Sequence, residues 1–66
     1  MRDISAMKRI DDYLAYQGGV IEIRRHANGR DYYLDGSRLN GQIVHDMIAD
    51  GWLIENDSSL TRCGER

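Results

Sequence analysis

Residues 40–64 read NGQIVHDMIADGWLIENDSSLTRCG, and this stretch is the most informative part of the chain about its architecture. Its first part carries apolar residues at helical spacing, which predicts a helix over residues 41–50 with Asn40 as its N-cap. Gly51 should end this helix, because glycine adopts the left-handed C′ conformation without a Cβ clash. The short apolar run and the turn-rich residues that follow predict a two-stranded hairpin over residues 52–62.

The start of this helix has two candidates, Ser37 and Asn40. We favour Asn40 because it puts Leu39 and Val44 at the positions of a hydrophobic staple. It also keeps Gly41 out of the helix interior, where glycine costs about 1 kcal/mol relative to alanine. The apolar positions then form a buried stripe of Ile43, Val44, Met47 and Ile48. The positions expected to face outward are Gln42, His45, Asp46 and Ala49.

An earlier helix is predicted over residues 4–16. Apolar residues recur there at intervals of three and four, at Ile4, Met7, Ile10 and Leu14. Asp3 is a suitable N-cap, since its carboxylate can accept hydrogen bonds from the first amides of the helix. The pair Gly18-Gly19 should end it.

A β-hairpin is predicted over residues 20–34, with Asn28-Gly29 at its turn. Asn-Gly favours the positive φ angles that a type I′ turn requires at both central positions. A turn centred there would place Arg24 opposite Tyr33. A further turn, without a strand of its own, is expected at Asp35-Gly36.

Strand alternation divides the side chains of this hairpin between two faces. The face expected in the core carries Ile21, Ile23, Tyr32 and Leu34. The face expected in solvent carries Glu22, Arg24, His26, Asp31, Tyr33 and Asp35. On the solvent face we predict a cation–π contact between Arg24 and Tyr33 and an ion pair between His26 and Asp31.

Together these elements predict one α+β domain over residues 1–66, in the order α-β-β-α-β-β. A chain of 66 residues buries only about 60% of the surface that its unfolded form exposes, so its stability is marginal. A second copy could share the core, which makes a homodimer one expectation. The single Cys63 cannot form an internal disulfide and fits a reducing cytoplasm. We expect no membrane span, since no stretch approaches the necessary ~20 apolar residues.

The residue patterns of enzymes and metal proteins are not found in this sequence. Asp11 and Asp12 are adjacent and therefore diverge around a helix, and the same holds for His45 and Asp46. The two histidines, His26 and His45, are too far apart for zinc-site spacing. We therefore expect a non-enzymatic protein without a cofactor or metal.

Basic residues gather near the tip of the predicted hairpin, at Arg24, Arg25, His26 and Arg30. One interpretation is a charged, solvated ribbon that resists edge-to-edge pairing. The other is a finger that contacts phosphate or an acidic protein surface, with Tyr32 or Tyr33 as an aromatic anchor. Acidic residues on the same hairpin argue against contact with nucleic acid more strongly than against contact with a protein surface.

The order helix, Gly51, apolar strand, turn and Leu60-Thr61-x-x-Gly64 resembles the second half of a winged-helix domain. The resemblance covers residues 40–64. It implies that the helix enters the major groove of DNA and that the wing touches the backbone. The implied reading face is Gln42, His45, Asp46 and Ala49, and the implied wing is Asn56, Asp57 and Ser58.

The sequence departs from that family in two ways. The hairpin over residues 20–34 stands where a winged helix has its second helix. Carboxylates also occupy the implied DNA-facing positions and would repel phosphate, at Asp46, Asp50, Glu55 and Asp57.

In size and style the chain resembles small phage-encoded inhibitors, including anti-CRISPR proteins. This resemblance implies a protein that blocks a partner sterically, the partner being a protein complex that can include nucleic acid. A winged-helix DNA-binding transcription regulator is the main alternative, and a structural subunit is the third. The residues expected to contact the partner are Arg24, Arg25, Arg30, Tyr32, Gln42, His45 and Asp46.

Overall fold

A computed structural model describes residues 2–64, which form two helices and five strands. The elements are α1 (Ile4–Gln17), β1 (Ile21–His26), β2 (Gly29–Leu34), β3 (Ser37–Arg38), α2 (Gly41–Ala49), β4 (Leu53–Glu55) and β5 (Ser59–Arg62). All five strands pair antiparallel in one sheet, in the order β3-β2-β1-β5-β4. The α+β class is confirmed, whereas the predicted element order lacks the short strand β3.

Local interactions with Asp3 and Gly18 set the two ends of helix α1. The Asp3 carboxylate accepts a hydrogen bond from the Ala6 amide at 3.1 Å, which satisfies one amide of the first turn. Gly18 has a φ of 68° and donates its N–H to the Leu14 carbonyl at 2.9 Å. The helix therefore runs one residue beyond the predicted end, to Gln17.

Helix α2 has both predicted caps. The Asn40 side chain accepts from the amide of Gln42 at 2.9 Å and also from that of Ile43. At the other end Gly51, with a φ of 80°, donates to the Ile48 carbonyl. Trp52 donates to the Met47 carbonyl, and these two bonds make a Schellman motif. The helix ends at Ala49, one residue before the predicted end.

The β1–β2 hairpin has a different turn and register from those predicted. His26 pairs with Gly29, so Ala27 and Asn28 form the turn, and neither has a positive φ. Arg24 lies opposite Asp31 instead of Tyr33, a shift of two residues. Because the shift is even, every side chain keeps its predicted face.

The two positive φ angles occur instead at Asp35 and Gly36, at 51° and 82°. They form the tight turn that joins β2 to β3, as a type I′ hairpin requires. The Tyr13 hydroxyl donates a hydrogen bond to the Asp35 carboxylate, which raises the pKa of Tyr13. The turn was predicted, but two residues of β3 are too few for alternation to indicate a strand.

The core lies between the two helices and one face of the sheet. Every residue predicted to face the core from the β1–β2 hairpin is buried. Trp52 is half-buried and packs against the same cluster. The buried apolar side chains are Met7, Leu14, Ile21, Ile23, Tyr32, Leu34, Val44, Met47, Leu53 and Leu60. Neither α1 nor α2 has the length and apolar character that crossing a membrane requires.

Candidate functional site

The predicted contact residues divide between the two faces of the sheet. Arg25 lies directly opposite Arg30 in the β1–β2 pair, on the face that Ile23 and Tyr32 share. Arg24 lies between Ile23 and Arg25 in β1 and therefore points to the other face. Alternation thus separates Arg24 from its neighbour Arg25.

Tyr32 connects the hairpin to helix α2. Its hydroxyl forms a 3.0 Å hydrogen bond with Nε2 of His45, and the two rings meet edge to face at 5.5 Å. The guanidinium carbon of Arg30 lies 5.5 Å from the centroid of the Tyr32 ring. Tyr32 itself is fully buried. It therefore fits the predicted core role and positions its neighbours, while Arg30 and His45 reach the surface.

Charge at the hairpin tip is only partly balanced. Nη1 of Arg30 lies 3.1 Å from the Glu55 carboxylate on β4. Among residues 2–64, no carboxylate contacts Arg25. The sequence could not indicate the Arg30–Glu55 pair, because the two residues are 25 positions apart. We use the name tip cluster for the five residues around this hairpin end: Arg25, Arg30, Tyr32, His45 and Glu55.

The outer face of α2 carries acids that are held by partners. Gln42 donates a hydrogen bond to Asp46 at 3.1 Å. Arg2 lies 2.7 Å from the Asp50 carboxylate and 3.7 Å from that of Asp46. The hydrogen bond from Arg2, helped by its charge, lowers the pKa of Asp50. Sequence reasoning missed Arg2, because nothing in a residue 48 positions away indicates this pairing.

Replacing Arg2 by glutamine should raise the pKa of Asp50 toward the usual range for aspartate. In the unchanged chain the folded-state pKa lies below the unfolded value. The pair therefore stabilises the fold above the unfolded pKa, and this contribution is lost as pH falls through the folded pKa. The check is a pH titration of the Asp50 carboxyl carbon by NMR.

The matched control for this titration is Arg9→Gln, which removes the same charge from an exposed position on α1. This variant should leave the pKa of Asp50 unchanged. If both variants shift Asp50 equally, the effect comes from net charge and the specific Arg2 contact is wrong.

The helix-free face of the sheet has its own ion pairs. Arg24 lies 2.9 Å from Glu22, lowers the pKa of that carboxyl by its hydrogen bond, and covers the Tyr33 ring at 4.0 Å. On the same face Asp31 contacts Arg38 at 3.2 Å and His26 at 3.4 Å. Both predicted contacts, Arg24–Tyr33 and His26–Asp31, are confirmed, although the actual register makes them diagonal.

The β4–β5 hairpin, the implied wing, is part of the main sheet. Leu60 of β5 pairs with Ile21 of β1 on one side and with Glu55 of β4 on the other. Residues 56–58, which carry the implied backbone contacts, are exposed at its turn. The hairpin turn therefore lies at the same end of the strands as Glu55 in the tip cluster.

Residues 2–64 form no ligand pocket and bring no group of three or more potential metal ligands together. The tip cluster and the outer face of α2 carry positive and negative side chains close together. No protein-family model, curated protein or solved structure matches the chain.

Proposed function

We propose that this chain is a non-enzymatic, cytoplasmic binding protein that covers the surface of a macromolecular partner. It acts by steric block, in the manner of small phage-encoded inhibitors such as anti-CRISPR proteins. The partner is a protein complex, which can include nucleic acid. The observation that carries the proposal is the link through Tyr32, which joins Arg30 of the hairpin to His45 of α2.

This link supports binding because it fixes the shape of the surface in advance. Arg30 and His45 are held by a fully buried ring, so ordering them in a complex costs little conformational entropy. Arg25 and Gln42 are exposed beside them. Arginine is enriched in protein interfaces and among the residues that contribute most of the binding energy.

The charge pattern favours a protein partner over a DNA duplex. Carboxylates lie among the cations of this surface, as in the Arg30–Glu55 and Arg2–Asp50 pairs. Duplex DNA usually calls for an excess of basic residues, whereas this chain has a net charge of −2. Mixed charge suits the polar rim of a protein interface.

The test is an affinity pull-down from host lysate, with and without nuclease. We expect one specific protein to be retained after nuclease treatment. The double variant Arg25→Glu/His45→Ala should lose it, because both side chains are exposed on the proposed surface. Arg9→Glu, with a charge change on α1, should retain it. The proposal is overturned if no protein is retained or if nuclease removes it.

A second candidate, a dimeric winged-helix-type regulator that binds DNA, is favoured by one observation. Arg2 compensates Asp46 and Asp50, which lowers their repulsion of phosphate. A regulator should bind random duplex DNA and lose affinity steeply between roughly 50 and 200 mM salt. The inhibitor should bind little DNA at either salt concentration. Replacing both aspartates by lysine should strengthen DNA binding only if α2 enters the groove.

A further inference from the structure

Two arginines face each other across the hairpin tip. Side chains directly opposite in an antiparallel pair have Cβ atoms about 4.5–5.5 Å apart, and like charges at such positions repel. Arg25 and Arg30 occupy one such pair. Within residues 2–64, Glu55 is the carboxylate that contacts this pair, and it contacts Arg30 alone. Among these residues, one positive charge of the pair is therefore uncompensated.

The contact with Glu55 shows that the Arg30 guanidinium can bind a carboxylate at the hairpin tip. Its side chain and that of Arg30 are 42% and 31% exposed. Solvent screens an ion pair at that exposure, so the contact contributes little to stability and can exchange. A carboxylate from another molecule can therefore replace Glu55 on Arg30 while a second one binds Arg25.

Neighbouring side chains position Arg30 for such an exchange of carboxylates. The Tyr32 ring lies beside its guanidinium, and the His45 hydrogen bond holds that ring in place. Guanidinium groups bind carboxylates through two parallel N–H donors, which makes a positioned arginine selective for a planar acid group.

We propose that Arg25 and Arg30 bind an acidic segment of the partner protein, with Glu55 as the internal carboxylate that the segment displaces. This inference rests on the proposed function and names the partner's chemistry. A protein segment is favoured over nucleic acid because the Glu55 carboxylate contacts Arg30, and Asp57 is exposed two residues further along the chain. These acids would repel the phosphates of a continuous backbone, whereas a short protein segment can place single carboxylates on the two arginines.

The experiment titrates the ¹⁵N-labelled chain with a capped hexaglutamate peptide and follows the Nε–Hε signals of Arg25 and Arg30. Both signals should shift and saturate. Glu55→Gln should tighten binding roughly two- to fivefold, because no internal carboxylate competes. Arg25→Gln should weaken it about fivefold or more through loss of a charge-assisted contact.

Two controls define the result. Arg9→Gln removes an equal charge elsewhere and should leave binding within about twofold of the unchanged chain. A hexaglutamine peptide should produce no saturating shift. The site is overturned if the two arginine signals stay still, if Arg9→Gln weakens binding as much as Arg25→Gln, or if a hexathymidine oligonucleotide binds more tightly than hexaglutamate.

The pull-down separates failure of this site from failure of the function. If the Arg25→Gln chain still retains the partner protein as well as the unchanged chain does, the arginine site is overturned and the inhibitor proposal stands. If hexaglutamate binds as expected but no protein is retained, the site stands and the inhibitor proposal is overturned.

Discussion

Replacing Tyr32 by alanine should lower the free energy of unfolding by about 3–5 kcal/mol. The ring is fully buried between the hairpin and α2, so its removal leaves a cavity and unpairs His45 from the hydroxyl. A domain of 66 residues has a total stability of roughly 3–10 kcal/mol. The substitution therefore removes about a third of this stability or more, and partner binding falls with any loss of the folded population.

Urea unfolding followed by far-UV circular dichroism measures this loss. The matched control is Tyr33→Ala, one residue along β2 on the helix-free face, where the ring is half-buried under Arg24. It should cost about 1 kcal/mol, the scale of a cation–π contact and partial burial. Equal losses of unfolding free energy for Tyr32→Ala and Tyr33→Ala would contradict the assignment of Tyr32 to the core face and of Tyr33 to the helix-free face.

A second variant of Tyr32 separates the packing of its ring from its hydrogen bond to His45. Tyr32→Phe keeps the ring in the core and removes only the hydroxyl that bonds to His45. It should cost about 0.5–1.5 kcal/mol, because the imidazole is exposed and can bond to water. The folded variant would then show whether partner binding depends on the fixed position of His45.

Replacing Arg62 by methionine should lower the free energy of unfolding by about 2–4 kcal/mol. Nε of Arg62 donates to the Asp11 carboxylate at 3.0 Å, and that carboxylate is only 5% exposed. The pair joins α1 to β5 across 51 residues of sequence. Removing the guanidinium takes one partner away from a buried acid, which is more costly than breaking an exposed pair.

The same urea measurement on Arg38→Met is the control. Arg38 also pairs with an acid, Asp31, but its side chain is 68% exposed, so the loss should be about 0–1 kcal/mol. The double variant Asp11→Leu/Arg62→Met should recover at least half of the single-variant loss, because the buried carboxylate is removed together with the guanidinium that neutralises it. If the double variant has a lower free energy of unfolding than Arg62→Met, Asp11 stabilises the fold through other contacts.

Local chemistry accounts for the parts of the fold that were predicted correctly. Asn40 caps α2 because its own side chain reaches the next amides, and Gly51 ends it because its φ is positive. The buried face of the β1–β2 hairpin follows from alternation, which a shift of two residues leaves unchanged. Each of these features depends on a few neighbouring residues.

The hairpin turn shows where local reasoning failed. Asn28-Gly29 has the composition of a type I′ turn, yet the chain turns at Ala27-Asn28, and the paired positive φ angles occur at Asp35-Gly36. Two positions could satisfy the same local preference. The actual choice sets which residues lie opposite one another, including Arg25 and Arg30 in the tip cluster.

The sequence alone was enough to predict the two helices, their caps, two hairpins and the face of each side chain in the β1–β2 hairpin, because these features depend on contacts within a few residues. Packing of the sheet and the helices set which charges far apart in the sequence neutralise one another, and it brought Tyr32 of the hairpin against His45 of α2. The Arg30–Glu55, Arg2–Asp50 and Arg62–Asp11 pairs span 25, 48 and 51 residues. Such pairs form only after the sheet and helices pack together, so no local pattern in the chain indicates them.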